Sequence, residues 1–296
     1  MHDRDGAAFL CDPRHVLARM TKLLGTHGLT ATAAFELEFY LLEPDTDWDD
    51  GMPAPVGAMG GPDRLRMYGL DDLAEHAALF DMIRDAAAEQ NLPIDTIIKE
   101  AAPGQFEVNL KHRGDALRAA DDVIKLRRIV MGCARAHGLQ ATFMAKPFIE
   151  YAGNGMHVHT SVLDAAGVNI FSGEGGRQRL EYAVTGLLKT MPEALLMFIN
   201  TWNGFRRITP GSYAPTRAVW AENNRSVAVR IPVSNEANRR IEHRIAGADA
   251  NPYLVMTAII QAIMEGLEQR VPPPPPVEGN AYDEDGLSLP DDMDDA

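Results

Sequence analysis

Four short segments carry side chains suited to holding cations and anions, and each alternates apolar with polar residues. In Phe35-Glu36-Leu37-Glu38-Phe39 both carboxylates fall on one side and the apolar residues on the other. Gln105, Glu107 and Asn109 share one side of their segment, as do His157, His159 and Ser161, and likewise Arg240, Glu242 and Arg244. Such a period of two is what an extended strand produces, because successive side chains leave opposite faces. Glu100 ends another short extended segment. A merely solvated face would more often carry lysine and threonine, yet the only lysine here is Lys111. Glutamates with a histidine suit a hard divalent cation. Mg²⁺ takes carboxylate and water oxygens, and Mn²⁺ accepts carboxylate with imidazole. Five glutamates on neighbouring strands would repel one another. Two divalent ions would neutralise them, and paired metals commonly clamp phosphoryl oxygens. Arg206, Arg207, Arg225, Arg230, Arg240 and Arg244 crowd into the last third of the ordered sequence. The forked guanidinium matches phosphate and carboxylate oxygens in pairs. These residue types imply a metal-dependent enzyme handling phosphate and a carboxylate substrate, without naming the reaction.

The elements that must position these residues can be read along the chain. Asp12-Pro13 opens a helix that Gly25 and Gly28 stop. A strand follows over residues 34–42, then an aperiodic stretch over 45–66 that reads as a loop. A helix is expected over 71–91, a strand pair over 95–100 and 105–111, and a long helix over 115–137. Strands are expected near 141–148 and 155–163, joined by a turn at Gly153-Asn154-Gly155, with helical segments over 176–200. Further strands are expected near 226–232 and 239–245, and a last helix over 251–269. Five prolines, Pro272 to Pro276, then break regular structure. Hairpin-like strand pairs with helices between them predict an α+β fold, with a mostly antiparallel, curved sheet and flanking helices. Two units are expected, a domain over 1–271 and a Pro-rich, then acidic, tail over 272–296.

Composition narrows the function class. The 296 residues carry a formal charge of −14, which disfavours general nucleic-acid binding through phosphate neutralisation. Eight acidic residues and no basic one lie between Glu278 and Ala296, so much of the acidity belongs to what reads as a solvated tail. Two cysteines, Cys11 and Cys133, exclude a thiol-ligand metal motif, fit a reducing compartment and are expected to pack in helices. No apolar leader and no membrane-length apolar run is present, so a cytoplasmic protein with no membrane partner is expected. There is no G-x-G-x-x-G after a strand and no Walker A pattern.

Taken in order, the motifs resemble the catalytic domain of bacterial-type glutamine synthetases from about Asp12 to Tyr282. The resemblance rests on Phe35-Glu-Leu-Glu-Phe-Tyr40, Pro103-Gly-Gln-Phe-Glu107, Gly153-Asn-Gly-Met-His-Val-His159, Asn203-Gly-Phe-Arg-Arg-Ile-Thr-Pro-Gly211, Asn224-Arg-Ser226 with Arg230-Ile-Pro232, and Arg239-Arg-Ile-Glu-His-Arg244 followed by Asp249-Ala-Asn-Pro-Tyr253. It implies two Mg²⁺ or Mn²⁺ ions, with Glu38, Glu100 and Glu107 on the one nearer the amino acid and Glu36, His157 and Glu242 on the one at the nucleotide phosphates. It implies that Asn154, Gly155 and Arg207 hold glutamate, that Arg207 and Arg244 are catalytic, with Arg244 at the transferred phosphoryl group, and that Arg225, Arg230, Arg240, His159 and Ser161 lie along ATP. The implied chemistry is γ-phosphorylation of glutamate by ATP, then attack of an amine on the acyl phosphate.

Three departures qualify that expectation. Tyr213 stands in Pro210-Gly-Ser-Tyr-Ala-Pro215 where glutamine synthetases proper carry a glutamate that attracts ammonium. A neutral phenol supplies no such charge, and an aromatic wall suits an amine with a carbon chain. The pattern resembles the γ-glutamylpolyamine and γ-glutamylamide branch, with a polyamine the first choice of acceptor. Ala237 stands where the family often has a nucleotide-contacting lysine. The family's N-terminal β-grasp domain and its C-terminal helices have no counterpart in the sequence, so a homo-oligomer is expected where the missing domain is supplied. Two alternatives stay open, an ordinary glutamine synthetase using ammonium and a truncated, non-catalytic relative.

Overall fold

The computed structural model describes residues 1–44, 53–58, 67–283 and 286–296. Most of the aperiodic 45–66 stretch lies outside the described residues. The chain starts with helix α1 (Pro13–Thr26), whose N-cap Asp12 accepts from the Arg14 N–H at 2.9 Å and whose first residue is proline. Strand β1 (Thr30–Leu42) follows, then α2 (Leu70–Glu75), α3 (Ala77–Glu89), β2 (Ile94–Lys99), β3 (Gln105–Leu110) and α4 (Ala116–Ala136). Next come β4 (Gln140–Thr142), β5 (Met156–Leu163), α5 (Gly176–Thr190) and the single turns α6 (Leu195–Phe198) and α7 (Trp202–Phe205). The chain continues through β6 (Arg217–Ala218), β7 (Trp220–Glu222), β8 (Val229–Ile231), β9 (Ile241–His243), α8 (Pro252–Gln269) and β10 (Leu287–Ser288).

The main sheet runs β2-β3-β1-β5-β9-β8-β7, with β4 on the far end of β1. Every pairing in it is antiparallel except β7 with β8. The α+β fold with a mostly antiparallel sheet and flanking helices is therefore present. The apolar face of β1, Phe35, Leu37 and Phe39, is buried with Leu126 and Val130 of α4, Ile259 and Ile263 of α8 and Leu187 of α5 in one core. Removing that apolar face from water is the main favourable term holding helices to sheet. The opposite face is left to polar residues, and it is where the carboxylates lie.

Several elements differ from the sequence expectation. The helix expected over 71–91 is two helices, broken at His76, whose ring packs edge-on against Phe80 and Phe106. The strand expected over 141–148 ends at Thr142. Beyond it Asn154 takes the carbonyls that a ladder would need, its side chain donating to Met144 O at 2.9 Å and its N–H to Ala145 O at 2.8 Å. Pro147 also lacks a ladder donor. Cys133 is buried in α4, whereas Cys11 precedes α1 and is exposed. The acidic segment is not wholly solvated. Ala281 and Leu289 are buried, and β10 pairs antiparallel with β6.

Candidate active site

Strand register, rather than loop placement, assembles the charged face. Glu38 lies opposite Glu107 in the β1–β3 pair, and Glu36 opposite His157 in the β1–β5 pair. His159 lies opposite Glu242 between β5 and β9, and Glu242 opposite Arg230 between β9 and β8. One continuous row of ligand-type side chains thus crosses five strands. Glu100 closes it from the turn between β2 and β3, where its N–H donates to Gln105 O at 2.9 Å.

Within the row, Glu36 is bound by both imidazoles, His159 Nε2 at 2.7 Å from Oε1 and His157 Nδ1 at 3.2 Å from Oε2. Glu38 accepts from the Gly155 N–H at 2.6 Å. Glu242 accepts from Arg230 at 2.5 Å and from Arg244. Among the described residues three sets of ligand atoms lie within 4.8 Å of one another, namely Glu38 with Glu100 and Glu107, Glu36 with Glu107 and His157, and Glu36 with His159 and Glu242. The first is the set expected for one metal. The second expected set is brought to the same face but divided, with His159 rather than His157 in the group beside Glu242.

Electrostatics separate these carboxylates into two kinds. Burial, then the charges of Glu36, Glu38 and Glu100, push Glu107 well above the ordinary carboxylate range. Burial and the Glu38 charge push Glu100 up to about 8, against the pull of Arg225 and Lys99. Burial also acts to raise Glu36, but hydrogen bonds from His157 and His159 outweigh it and hold its carboxyl well below that range. Burial likewise opposes ionisation of Glu242, yet Arg244 and the two histidines lower it to about 2. Crowded carboxylates that cannot all ionise alone are a donor set for divalent cations, so the residues present fit two metals. On the reverse face of β9, His243 is fully buried against Phe198 and is pushed down to about 3 by burial.

Two cavities meet along this row, with Glu36 and Asn109 lining both. One, of about 800 Å³, is lined by His159, Ser161 and Arg240. The other, of about 610 Å³, is lined by His157, Arg207, Arg225, Arg230, Arg244 and Tyr213. The expected nucleotide residues are thus divided between the cavities, with Arg225 and Arg230 on the second. Arg207 is buried and aimed by its bond to Ile245 O at 2.7 Å, and burial lowers its pKa. Asn154 is buried and spends its amide on Met144 O and on Gln105 Nε2 at 3.2 Å. Neither it nor Gly155, both expected to hold glutamate, lines either cavity. A Cβ at Gly155 would lie 2.7 Å from Arg207 Nη2 and 3.0 Å from His157 Nε2, so the backbone must approach there without a side chain. Ala237 lines the first cavity.

Sequence reasoning missed Tyr68, which lines the second cavity and accepts from Arg225 at 2.9 Å. It follows the aperiodic stretch, where no pattern marks one residue over another. Gln105 was placed on the polar face of its strand, but its part as a floor residue was not visible. Its amide also donates to Gly153 O at 3.0 Å.

The sequence profile of the glutamine synthetase catalytic domain matches residues 10–296. The chain belongs to the glutamine synthetase family. It is 43% identical over 295 residues to the γ-glutamylputrescine synthetase PuuA of Escherichia coli strain K12, covering 98% of this chain and 62% of that relative. It is 32% identical to the γ-glutamylethanolamide synthetase GlnA4 of Streptomyces coelicolor over 97% of this chain and 61% of that one. A glutamine synthetase of Pyrococcus abyssi is 34% identical over 95% of this chain and 62% of its own length. The chain therefore spans about three fifths of these relatives. A solved structure described as a GmaS/ADP complex superposes with a TM-score of 0.88 at 29% identity, over 98% of this chain and 68% of that one. Among the described residues no helix is long and apolar enough to cross a membrane.

Proposed function

We propose that this protein ligates glutamate to an organic amine at the expense of ATP, through a γ-glutamyl phosphate, with two divalent ions, Mg²⁺ or Mn²⁺, on the acidic row. The observation that carries this reading is the meeting of the two cavities at Glu36, with arginines converging from one side and Tyr213 at the rim. A phosphate donor entering along Ser161, His159 and Arg240 would present its terminal phosphoryl group to a carboxylate held beside Arg207. The metals, held by Glu38, Glu100 and Glu107 and by Glu36, the histidines and Glu242, would supply charge neutralisation at the phosphates. Arg230 and Arg244, already oriented on Glu242, would stabilise charge developing on the transferred group. Arg207, fixed by backbone carbonyls, would orient the glutamate, so that little reorganisation is needed at reaction.

Tyr213 favours an amine with a carbon chain over ammonium. Tyr213 is 64% exposed, lines the second cavity and offers a phenol where a carboxylate would bring negative charge. The similarity to synthetases of γ-glutamylputrescine and γ-glutamylethanolamide supports the same choice. As in the wider family, a homo-oligomer in which a neighbouring subunit completes the site is part of this proposal. The test is phosphate release from ATP with glutamate and Mg²⁺ or Mn²⁺ across ammonium, putrescine, spermidine, ethylamine and ethanolamine. Release should depend on one organic amine and vanish in the Glu36→Ala, Glu38→Ala double variant. Equal or better use of ammonium in competition would sink the organic-amine assignment.

A further inference from the structure

The segment after α8 is bonded to both loops that bring Tyr213 and Arg225 to the arginine-lined cavity. Trp220 Nε1 donates to Pro274 O at 2.7 Å, and the Val277 N–H donates to Trp220 O at 2.9 Å. Asn224 Nδ2 donates to Gly279 O at 2.6 Å, and the Ala281 N–H donates to Ser226 Oγ at 3.0 Å. These bonds bracket Arg225. Ala281 is buried with Val219, Ala221 and Val227, so the residue after it is presented from a fixed base.

That residue is Tyr282, whose hydroxyl donates to Ala214 O at 3.0 Å. On the other side of Tyr213, Ser212 Oγ lies 2.6 Å from Thr209 O and 3.1 Å from Arg207 O, and accepts from the Ala214 N–H at 3.2 Å. Tyr213 itself has φ +59°, a left-handed backbone that a bulky residue holds only when its surroundings impose it, at roughly 1–2 kcal/mol. Its exposed ring does not impose that conformation. Ser212 and Tyr282 do, Ser212 Oγ by holding the Ala214 N–H in the peptide after Tyr213 and Tyr282 by holding the carbonyl of the next peptide.

We propose that Tyr282 is a positioning residue for the acceptor amine, acting through Ala214 O to set the place of the Tyr213 ring at the cavity mouth. This rests on the ligase reading above. The side chains of Arg207, Arg230 and Arg244, which in that reading face glutamate and phosphate, are anchored by Ile245 O and Glu242, and only the Arg207 carbonyl touches this loop, through Ser212 Oγ, so Tyr282 should govern chiefly the acceptor.

The test is Tyr282→Phe in the full chain, which keeps the ring and removes one hydroxyl. Two measurements are compared with the unsubstituted protein, amide hydrogen exchange over residues 209–216 and separate KM values for the preferred amine, glutamate and ATP. Exchange should quicken about tenfold or more at the Tyr213 and Ala214 amides. The amine KM should rise about fivefold, the scale of one lost hydrogen bond, with the other two KM values within about twofold. Unchanged exchange would overturn the proposal, as would an equal rise in all three KM values. If the unsubstituted chain turns over no amine, the ligase reading fails by itself. The exchange measurement needs no turnover, and there faster exchange still supports the latch while unchanged exchange overturns it.

Discussion

At the scale of single residues, the row of glutamates is poised between protons and metal ions. Glu100 is raised to about 8, so without metal it carries a proton at neutral pH, and burial and the neighbouring glutamates push Glu107 in the same direction. Folding therefore retains protons that the unfolded chain would lose above the usual carboxylate range. The sign follows directly: without metal, stability contributed at these sites declines as pH rises from about 4.5 towards 8. Metal binding must displace the same protons, so apparent affinity for Mn²⁺ should climb with pH and flatten above about 8. Calorimetry at pH 7 in buffers of different ionisation enthalpy should show about one proton or more released on Mn²⁺ binding. Release of none would mean the glutamates are already ionised. The acceptor side allows a second residue-level prediction. Tyr213→Glu restores a charge at the mouth and should move the ratio of kcat/KM for ammonium over the best organic amine upward by about tenfold, or ~1.4 kcal/mol. An unchanged ratio in competition assays would remove Tyr213 from acceptor choice. The carboxylates and histidines were legible because alternation in a strand puts them on one face whatever the neighbours do. Tyr68 was not, because its place depends on a turn whose sequence carries no period, and its N–H is tied to Lys99 O at 2.9 Å by tertiary structure alone.

At the scale of elements, long periodic segments were legible, as were the three-residue strands β8 and β9, while other short strands were not. β1, β3, β5, α4 and α8 lie close to their expected positions, since five or more residues of alternation or several helical turns define a face. β6, β7 and β10 have two or three residues each, too few to show any period, and they exist because neighbouring backbone offers a partner. The helix break at His76 escaped for a related reason, since it follows from a ring packing on Phe106 in a distant strand. The crossing of α5 and α8 is likewise a tertiary fact with sequence consequences. A Cβ at Gly186 would lie 2.0 Å from Ala262 O, and one at Gly266 would lie 2.0 Å from Tyr182 O. The two helices touch backbone to backbone there, and neither can yield without separating the core beneath. Gly186→Ala should cost about 1–3 kcal/mol or more by overpacking. Gly25→Ala, in α1 with nothing near its would-be Cβ, should instead gain up to about 1 kcal/mol from helix propensity. Urea unfolding of the two variants checks the opposite signs.

At the scale of the whole molecule, the acidic segment joins the catalytic fold through its few apolar residues. Composition pointed to a solvated tail because its eight carboxylates dominate any average over 278–296. Averages hide single anchors. Leu289 is 3% exposed and belongs to the main core, with Met293 and Ala296 packed partly against it, while Leu287 two residues earlier is 55% exposed. The Leu289 N–H also donates to Thr216 O at 3.1 Å, which ties this anchor to the loop leading from Tyr213 into β6. If the segment were a solvated appendage, Leu289→Ala and Leu287→Ala would be equally silent. The packing says otherwise. Leu289→Ala should destabilise the protein by about 2–4 kcal/mol through lost burial and the cavity left behind. Leu287→Ala, whose side chain is largely in water, should stay within about 0.5 kcal/mol. Denaturant titration of both variants reads the difference directly. A large loss from Leu289→Ala together with a slower exchange-protected core would be contradictory, so the same samples should also show faster amide exchange in 214–218. Equal midpoints for the two variants would return the segment to the solvent and detach it from the rim it is bonded to.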